Sequence, residues 1–218
     1  LESRISLRWC RRNKCPIVML NDNPRDNVQR TWWKEVAKRW LLRGIKAGFV
    51  AGSPQARYLE RLGIPKAGIF QPGSCVVDNA YWANACERVR QDANSVRIRL
   101  GLPDKYFLCV ARFIPCKNIS FLVRAYARYR KLAGSEAWGL VLCGSGTEEA
   151  AIREAMRESG ASDVHFAGFR QVDELPNYYG LAECFVLPSS VYEAWGMVVN
   201  EAMASGLPVL VSHMVGSA

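Results

Sequence analysis

From Tyr106 onward, short unbroken apolar runs alternate with stretches of helical length. The apolar runs are Y-F-L-C-V-A at 106–111, G-L-V-L-C at 139–143, V-H-F-A at 164–167, C-F-V-L at 184–187 and P-V-L-V at 208–211. Helical stretches at about 118–133, 147–159, 173–183 and 196–205 separate them. Strands that must cross over through helices run parallel, and a parallel sheet is covered on both faces, which is why its strands read as continuous apolar runs. The expected class is therefore α/β with parallel sheets. Half of the 218 residues are apolar, enough for a packed core.

The first part of the chain is less regular. Residues 1–14 read as a basic helix, Pro16–Leu20 as a strand and N-D-N-P-R-D at 21–26 as a turn. A helix over 31–45 places Trp32, Val36, Trp40 and Leu41 at helical spacing. Gly48–Ala51 reads as a strand, and Ser53-Pro54 opens a helix with Ser53 as its cap, ending at Gly63. A short strand is expected at 68–70, then a helix capped by Asp78. The charged stretch Asp92–Lys105 reads as a boundary, dividing the chain into 1–98 and 99–218. The chain opens Leu-Glu-Ser and closes Val-Gly-Ser-Ala, and reads as the central piece of a longer enzyme.

Charge separates the two parts. The formal net charge is +9, and residues 1–66 carry fifteen Lys or Arg against five Asp or Glu. Such a surface suits an anionic membrane or an acidic acceptor. Nucleic acid is not expected, because no zinc-finger, RNP or K-homology signature accompanies the charge. No apolar run reaches the ~20 residues of a membrane span. The eight cysteines show no C-x-x-C spacing and the two histidines are far apart, so neither a zinc site nor a disulfide framework is expected. A reducing, cytoplasmic setting follows; no cofactor is expected.

Ligands of an open parallel sheet bind beyond the carboxyl ends of its strands. Those ends carry Arg112 and Lys117 after the first strand, Gly144-Ser145-Gly146 after the second, Phe169 and Arg170 after the third and Glu193 after the fourth. A guanidinium and an ammonium suit a diphosphate. The glycine turn is a weak dinucleotide fingerprint, since position 149 is Glu rather than Gly, and a nicotinamide-dependent dehydrogenase is not expected. Glu193 and Glu201 stand eight apart in an otherwise apolar segment, where a helix beginning near Gly196 presents its N–H groups to an anion. Carboxylates repel phosphate, so these two suit vicinal hydroxyls, as on the two sugars flanking a diphosphate.

The segment E-A-W-G-M-V-V-N-E-A-M-A-S-G-L-P-V-L resembles the E-x7-E signature of retaining glycosyltransferases of family 4, also called group 1. F-L-C-V-A-R-F-I-P-C-K-N, V-L-C-G-S-G-T and V-H-F-A-G-F-R-Q-V-D-E-L-P-N-Y-Y-G-L-A-E-C-F-V-L-P-S are similar to that family's other elements, and W-W-K-E-V-A-K, Y-L-E-R-L-G-I-P and V-V-D-N resemble the later part of its N-terminal domain. The resemblance implies a GT-B fold of two Rossmann-like domains, with residues 1–98 on the acceptor side and 99–218 binding a nucleotide-diphospho-sugar donor. It implies that Arg112 and Lys117 hold the diphosphate and that Glu193 contacts the donor sugar. By the same resemblance Glu201 would bind ribose, Gly144 and Ser145 would form the second glycine turn, Phe169 and Arg170 would line the base pocket, and Gly196 and Met197 would offer backbone N–H groups. It further implies metal-independent transfer with retention, consistent with the lack of a D-x-D sequence, to an acceptor the residues do not reveal. Pro115-Cys116 departs from the family, which often has a charged residue there; the family's glycine-rich loop and acceptor-side histidine are not in this sequence. Two alternatives stay open: a non-catalytic glycosyltransferase-like binding module, and another GT-B enzyme such as a sugar phosphorylase or nucleotide-sugar epimerase.

Overall fold

The computed structural model describes residues 2–22, 31–71, 76–191 and 193–217. Two compact units divide the chain after Cys75. The first comprises α1 (Glu2–Arg12), β1 (Val18–Asn21), α2 (Trp32–Leu41), β2 (Ala47–Val50), α3 (Ser53–Arg61) and β3 (Ile69–Phe70). Its three strands pair in parallel in the order β1-β2-β3. Leu7 of α1, Val50 of β2 and Tyr58 and Leu59 of α3 form its core with Ile45, Leu62 and Ile64. The Tyr58 hydroxyl donates to Glu35 Oε2 at 2.9 Å and ties α3 to α2. Most of the turn expected at 21–26 lies outside the described residues.

The second unit contains α4 (Asn79–Gln91), α5 (Ala93–Leu100), β4 (Tyr106–Val110), α6 (Ile119–Ala133), β5 (Gly139–Cys143), α7 (Glu149–Ser159), β6 (Val164–Gly168), α8 (Pro176–Tyr179), β7 (Cys184–Leu187), α9 (Met197–Ala204) and β8 (Val209–Val211). The five strands are parallel, in the order β6-β5-β4-β7-β8. Side chains of a strand alternate between faces. Tyr106, Leu108 and Val110 of β4 therefore enter one core with Val141, Phe185, Trp82 and Tyr179, while Cys109 enters the other with Leu140, Leu142, Leu122 and Ile152. Helices α4, α8 and α9 pack on the first face, and α6 and α7 on the second. This is the α/β fold with parallel sheets expected of the sequence.

Several expectations need correction. The division falls after Cys75, not at 98/99, because Trp82, Cys86 and Val96 of α4 and α5 are buried in the core of the second sheet. Residues 92–105 are not a linker: they hold α5, closed by Gly101 in the left-handed conformation. The helix expected over 173–183 is the four-residue α8, beginning at Pro176 and capped by Gly180, where a Cβ would meet the carbonyl oxygen of Pro176 at 2.9 Å. The cap of α3 is Gly52, and Ser53 is its first helical residue. Asp78 does cap α4, its carboxylate accepting from the Tyr81 N–H at 2.9 Å. The helical spacing of α2 is real but does not mark a core face: Trp32, Val36 and Trp40 are all exposed.

Candidate active site

In the β6-β5-β4-β7-β8 order, β4 is the central strand from which the chain moves outward first to one side and then to the other. The crevice beyond the carboxyl ends at such a reversal is where an open sheet receives its ligand. A cavity of about 430 Å³ lies there, lined by Arg112, Gly144, Ser145, Phe169, Arg170 and Glu201 together with Val110, Ala111, Cys143, Leu175 and Val198. Six of the ten residues singled out in the sequence thus share one hollow. A larger hollow of about 710 Å³ lies at the opposite edge, by the strand N-termini, among Lys105, Trp138, Asp163 and His165; none of the ten lines it.

The floor of the cavity is made of backbone. The Gly144 N–H donates to the Gly168 carbonyl at 2.8 Å, the Ala111 N–H to Cys143 at 3.0 Å and the Phe113 N–H to Ser145 at 2.8 Å. The loops leaving β4, β5 and β6 are thereby held edge to edge past the ends of their strands. Gly144 permits this approach: a Cβ there would lie 1.9 Å from the Ala111 carbonyl oxygen. The glycine turn is required by its neighbouring chain, whatever else it binds.

The charged groups differ in how they are held. The Arg112 guanidinium is exposed and makes no ion pair among the described residues. Arg170 is fixed over the Tyr178 ring, 5.6 Å from its centroid, and donates to Glu174 Oε1 at 3.1 Å; its Nε is buried without a partner. The Glu174 carboxylate secures the turn by accepting from the Gln171 N–H at 2.8 Å, and this bond, with that from Arg170, holds its pKa below the usual carboxylate range. Phe169 projects into solvent, two-thirds exposed.

The two glutamates have separate tasks. Glu201, in α9, faces the cavity, and its Oε2 accepts from the buried Tyr179 hydroxyl at 3.0 Å. Burial pushes the Glu201 carboxyl above the usual range and the Tyr179 bond draws it back. Glu193 lies before α9 and is ion-paired with Lys117; Ser189 Oγ donates to its second oxygen at 2.7 Å. Lys117 and Glu193 are 14% and 19% exposed, and neither lines the cavity. Neighbours hold the Glu193 loop on both sides. The Ser190 N–H donates to Cys116 at 2.9 Å, the Glu193 N–H to Met214 at 2.7 Å and the Gly216 N–H to Glu193 at 3.0 Å. Gly196, left-handed at φ +86, begins α9 and is buried, while Met197 is partly exposed; both lie outside the cavity.

Three contributors were not singled out in the sequence. Ser189 carried a faint signal as the first serine of P-S-S after a strand. Tyr179 and Leu175 carried none, because aromatic and aliphatic residues on a helix read as core.

Residues 91–218 match the family model described as glycosyl transferases group 1. The chain is similar to the lipopolysaccharide 1,2-N-acetylglucosaminetransferase of Salmonella typhimurium, with 30% identity over 74% of this chain and 42% of that protein. It is also similar to a GDP-mannose-dependent alpha-(1-6)-phosphatidylinositol monomannoside mannosyltransferase of Mycobacterium tuberculosis, with 32% identity over 56% of this chain and 32% of that one. The chain thus spans less than half the length of these relatives. The fold matches that of Anabaena Alr3699/HepE, solved with UDP and glucose, at a TM-score of 0.72 and 16% identity, over 98% of this chain and 57% of that one. The parallel-sheet architecture is that of GT-B glycosyltransferase structures.

Proposed function

We propose, from the premise that this chain belongs to the group 1 glycosyl transferases, that it moves a sugar from a nucleotide-diphospho-sugar to an acceptor, with retention at the anomeric carbon. The observation that carries this reading is the cavity at the carboxyl ends of β4, β5 and β6, which gathers Arg112, Arg170 and Glu201 around a backbone floor. In this reading the diphosphate lies against Arg112 in the cavity and reaches beyond it to Lys117, which does not line it. The ribose hydroxyls donate to Glu201, and Glu193 receives a hydroxyl of the transferred sugar. Breaking the bond between sugar and phosphate builds negative charge on the leaving diphosphate. Fixed cations stabilise that charge more than they stabilise the intact donor, which is what lowers a barrier. The nucleophile is the acceptor hydroxyl, which approaches the face that the diphosphate leaves. No metal is assigned a role, and turnover unchanged by a chelator is the result expected.

Calorimetric titration of the chain with UDP, GDP and ADP tests the donor site; the mycobacterial relative's name makes GDP a necessary member of the panel. Saturable binding of one nucleotide, weakened by Glu201→Ala, supports the reading. A folded chain that binds none of the three sinks it.

The acceptor side of the reading concerns the first unit. A groove of about 650 Å³ runs along α1 and α2, lined by Arg4, Arg8, Arg11, Lys34, Lys38, Trp33 and Trp40. Indoles among cations suit the headgroup layer of an anionic bilayer, where lipid-linked acceptors reside. A cytoplasmic protein resting on the inner membrane face accords with this. No helix among the described residues is long and apolar enough to cross a membrane. Vesicles containing phosphatidylglycerol are expected to retain the chain at low salt and release it as salt rises; equal binding to neutral vesicles, or none to anionic ones, removes the proposal.

A further inference from the structure

Glu201 lines the cavity, but the group that holds its carboxylate does not. We propose that Tyr179 is a positioning residue for nucleotide binding, its buried hydroxyl fixing one oxygen of Glu201 so that the other meets the ribose. This rests on the donor-site reading above.

Tyr179 stands at the end of α8 and is fully buried. Its ring is set between Trp82, edge-on at a centroid distance of 5.3 Å, and Phe185 at 6.0 Å. The hydroxyl reaches two acceptors: Glu201 Oε2 at 3.0 Å and the Val198 carbonyl at 3.4 Å. A phenol has one proton to give, and the nearer, charged acceptor takes it. Oε2 is thereby engaged, and Oε1 has no partner among the described residues. A carboxylate with one oxygen clamped and one free, on the wall of a cavity, is oriented before the ligand arrives.

The same bond governs charge. Burial, and then the nearby Glu201 charge, raise the Tyr179 phenol far above its ordinary range, so it stays a donor at any working pH. Glu201 is pushed up by its own burial and drawn down by this hydroxyl. The other groups at the cavity are Arg112 from the loop after β4, Cys143 at the end of β5 and Arg170 after β6. Without the phenol proton, Glu201 gains a proton at a higher pH and is free to rotate. Phenylalanine fills the same space and packs on the same rings, so Tyr179→Phe removes the bond with little disturbance of the core.

The test compares the nucleotide that binds best among UDP, GDP and ADP with its 2′-deoxy form, by calorimetry on the wild-type chain and on Tyr179→Phe. A hydrogen bond to a charged group sets the scale, so the wild type is expected to prefer the ribonucleotide by roughly tenfold or more. In Tyr179→Phe that preference falls to within about threefold, and the loss of ribonucleotide affinity relative to wild type is larger at pH 6 than at pH 8. Equal weakening of both nucleotides, with the preference kept, makes Tyr179 a packing residue and overturns the inference. A wild type that binds nucleotide without ribose preference overturns it as well, leaving the donor site standing. A wild type that binds no nucleotide overturns the donor-site reading and this inference with it.

Discussion

Lys117→Ala is expected to lower turnover by about 10²- to 10³-fold, the scale on which removal of one fixed donor to a developing oxyanion is felt. Affinity for the nucleotide should fall far less, because in the proposed mechanism the lysine's contribution grows as the diphosphate leaves. The structure adds a second expectation. Lys117 is ion-paired with Glu193 where both side chains are mostly buried. Deleting one partner strands the other, so the variant should also lose stability, by about 3 kcal/mol. Ser189 remains to donate to the orphaned carboxylate and softens that loss. The double variant Lys117→Ala/Glu193→Ala separates the two effects. It should recover much of the stability in urea titrations and none of the turnover. A single variant with wild-type turnover and weaker donor binding would remove Lys117 from the chemical step.

Gly144→Ala should cost the second unit about 3 kcal/mol or more, the combined scale of backbone strain and overpacking. The added Cβ would lie 1.9 Å from the Ala111 carbonyl oxygen and 3.1 Å from the Phe113 ring. The first obstacle is backbone, held by the Ala111 N–H bond to Cys143, so it cannot swing aside as a side chain does. Chemical denaturation followed by fluorescence gives the measurement, and a loss below about 1 kcal/mol would mean that the β4 and β5 loops yield more readily than their hydrogen bonds suggest. Nucleotide binding should weaken in step, since the same loops line the cavity.

What was legible in the sequence follows from the physics of a buried parallel sheet. Strands covered on both faces must be apolar throughout, and this signature marked all five strands of the second unit. The carboxyl-end rule then led to Arg112, Gly144, Ser145, Phe169 and Arg170, which share a cavity with Glu201 of the following helix, and to Lys117 and Glu193, which do not line it. The first unit was harder. Its strands are two to four residues long, and its helix α2 turns Trp32, Val36 and Trp40 outward, so periodicity located the helix without telling its buried side. The boundary was misplaced because α5 is charged on its surface and commits little more than Val96 to the core. The Lys117–Glu193 pair spans 76 residues, and no local pattern announces a contact of that range. Tyr179 was invisible for a different reason: a buried tyrosine looks the same in sequence whether its hydroxyl serves packing or a ligand-facing carboxylate.

The strands' spatial order also has a consequence for how the protein comes off the ribosome. Arg112 and Lys117 emerge early, but Glu193 follows Lys117 by 76 residues, roughly 4–15 s at ordinary rates of translation. The Glu193 loop is then held by Met214 and Gly216, later still. A nascent chain that has made β4, β5 and β6 has an unpaired edge where β7 belongs and a Lys117 still without its counter-charge. The Lys117–Glu193 pair can close only late, when the second side of the sheet is laid down.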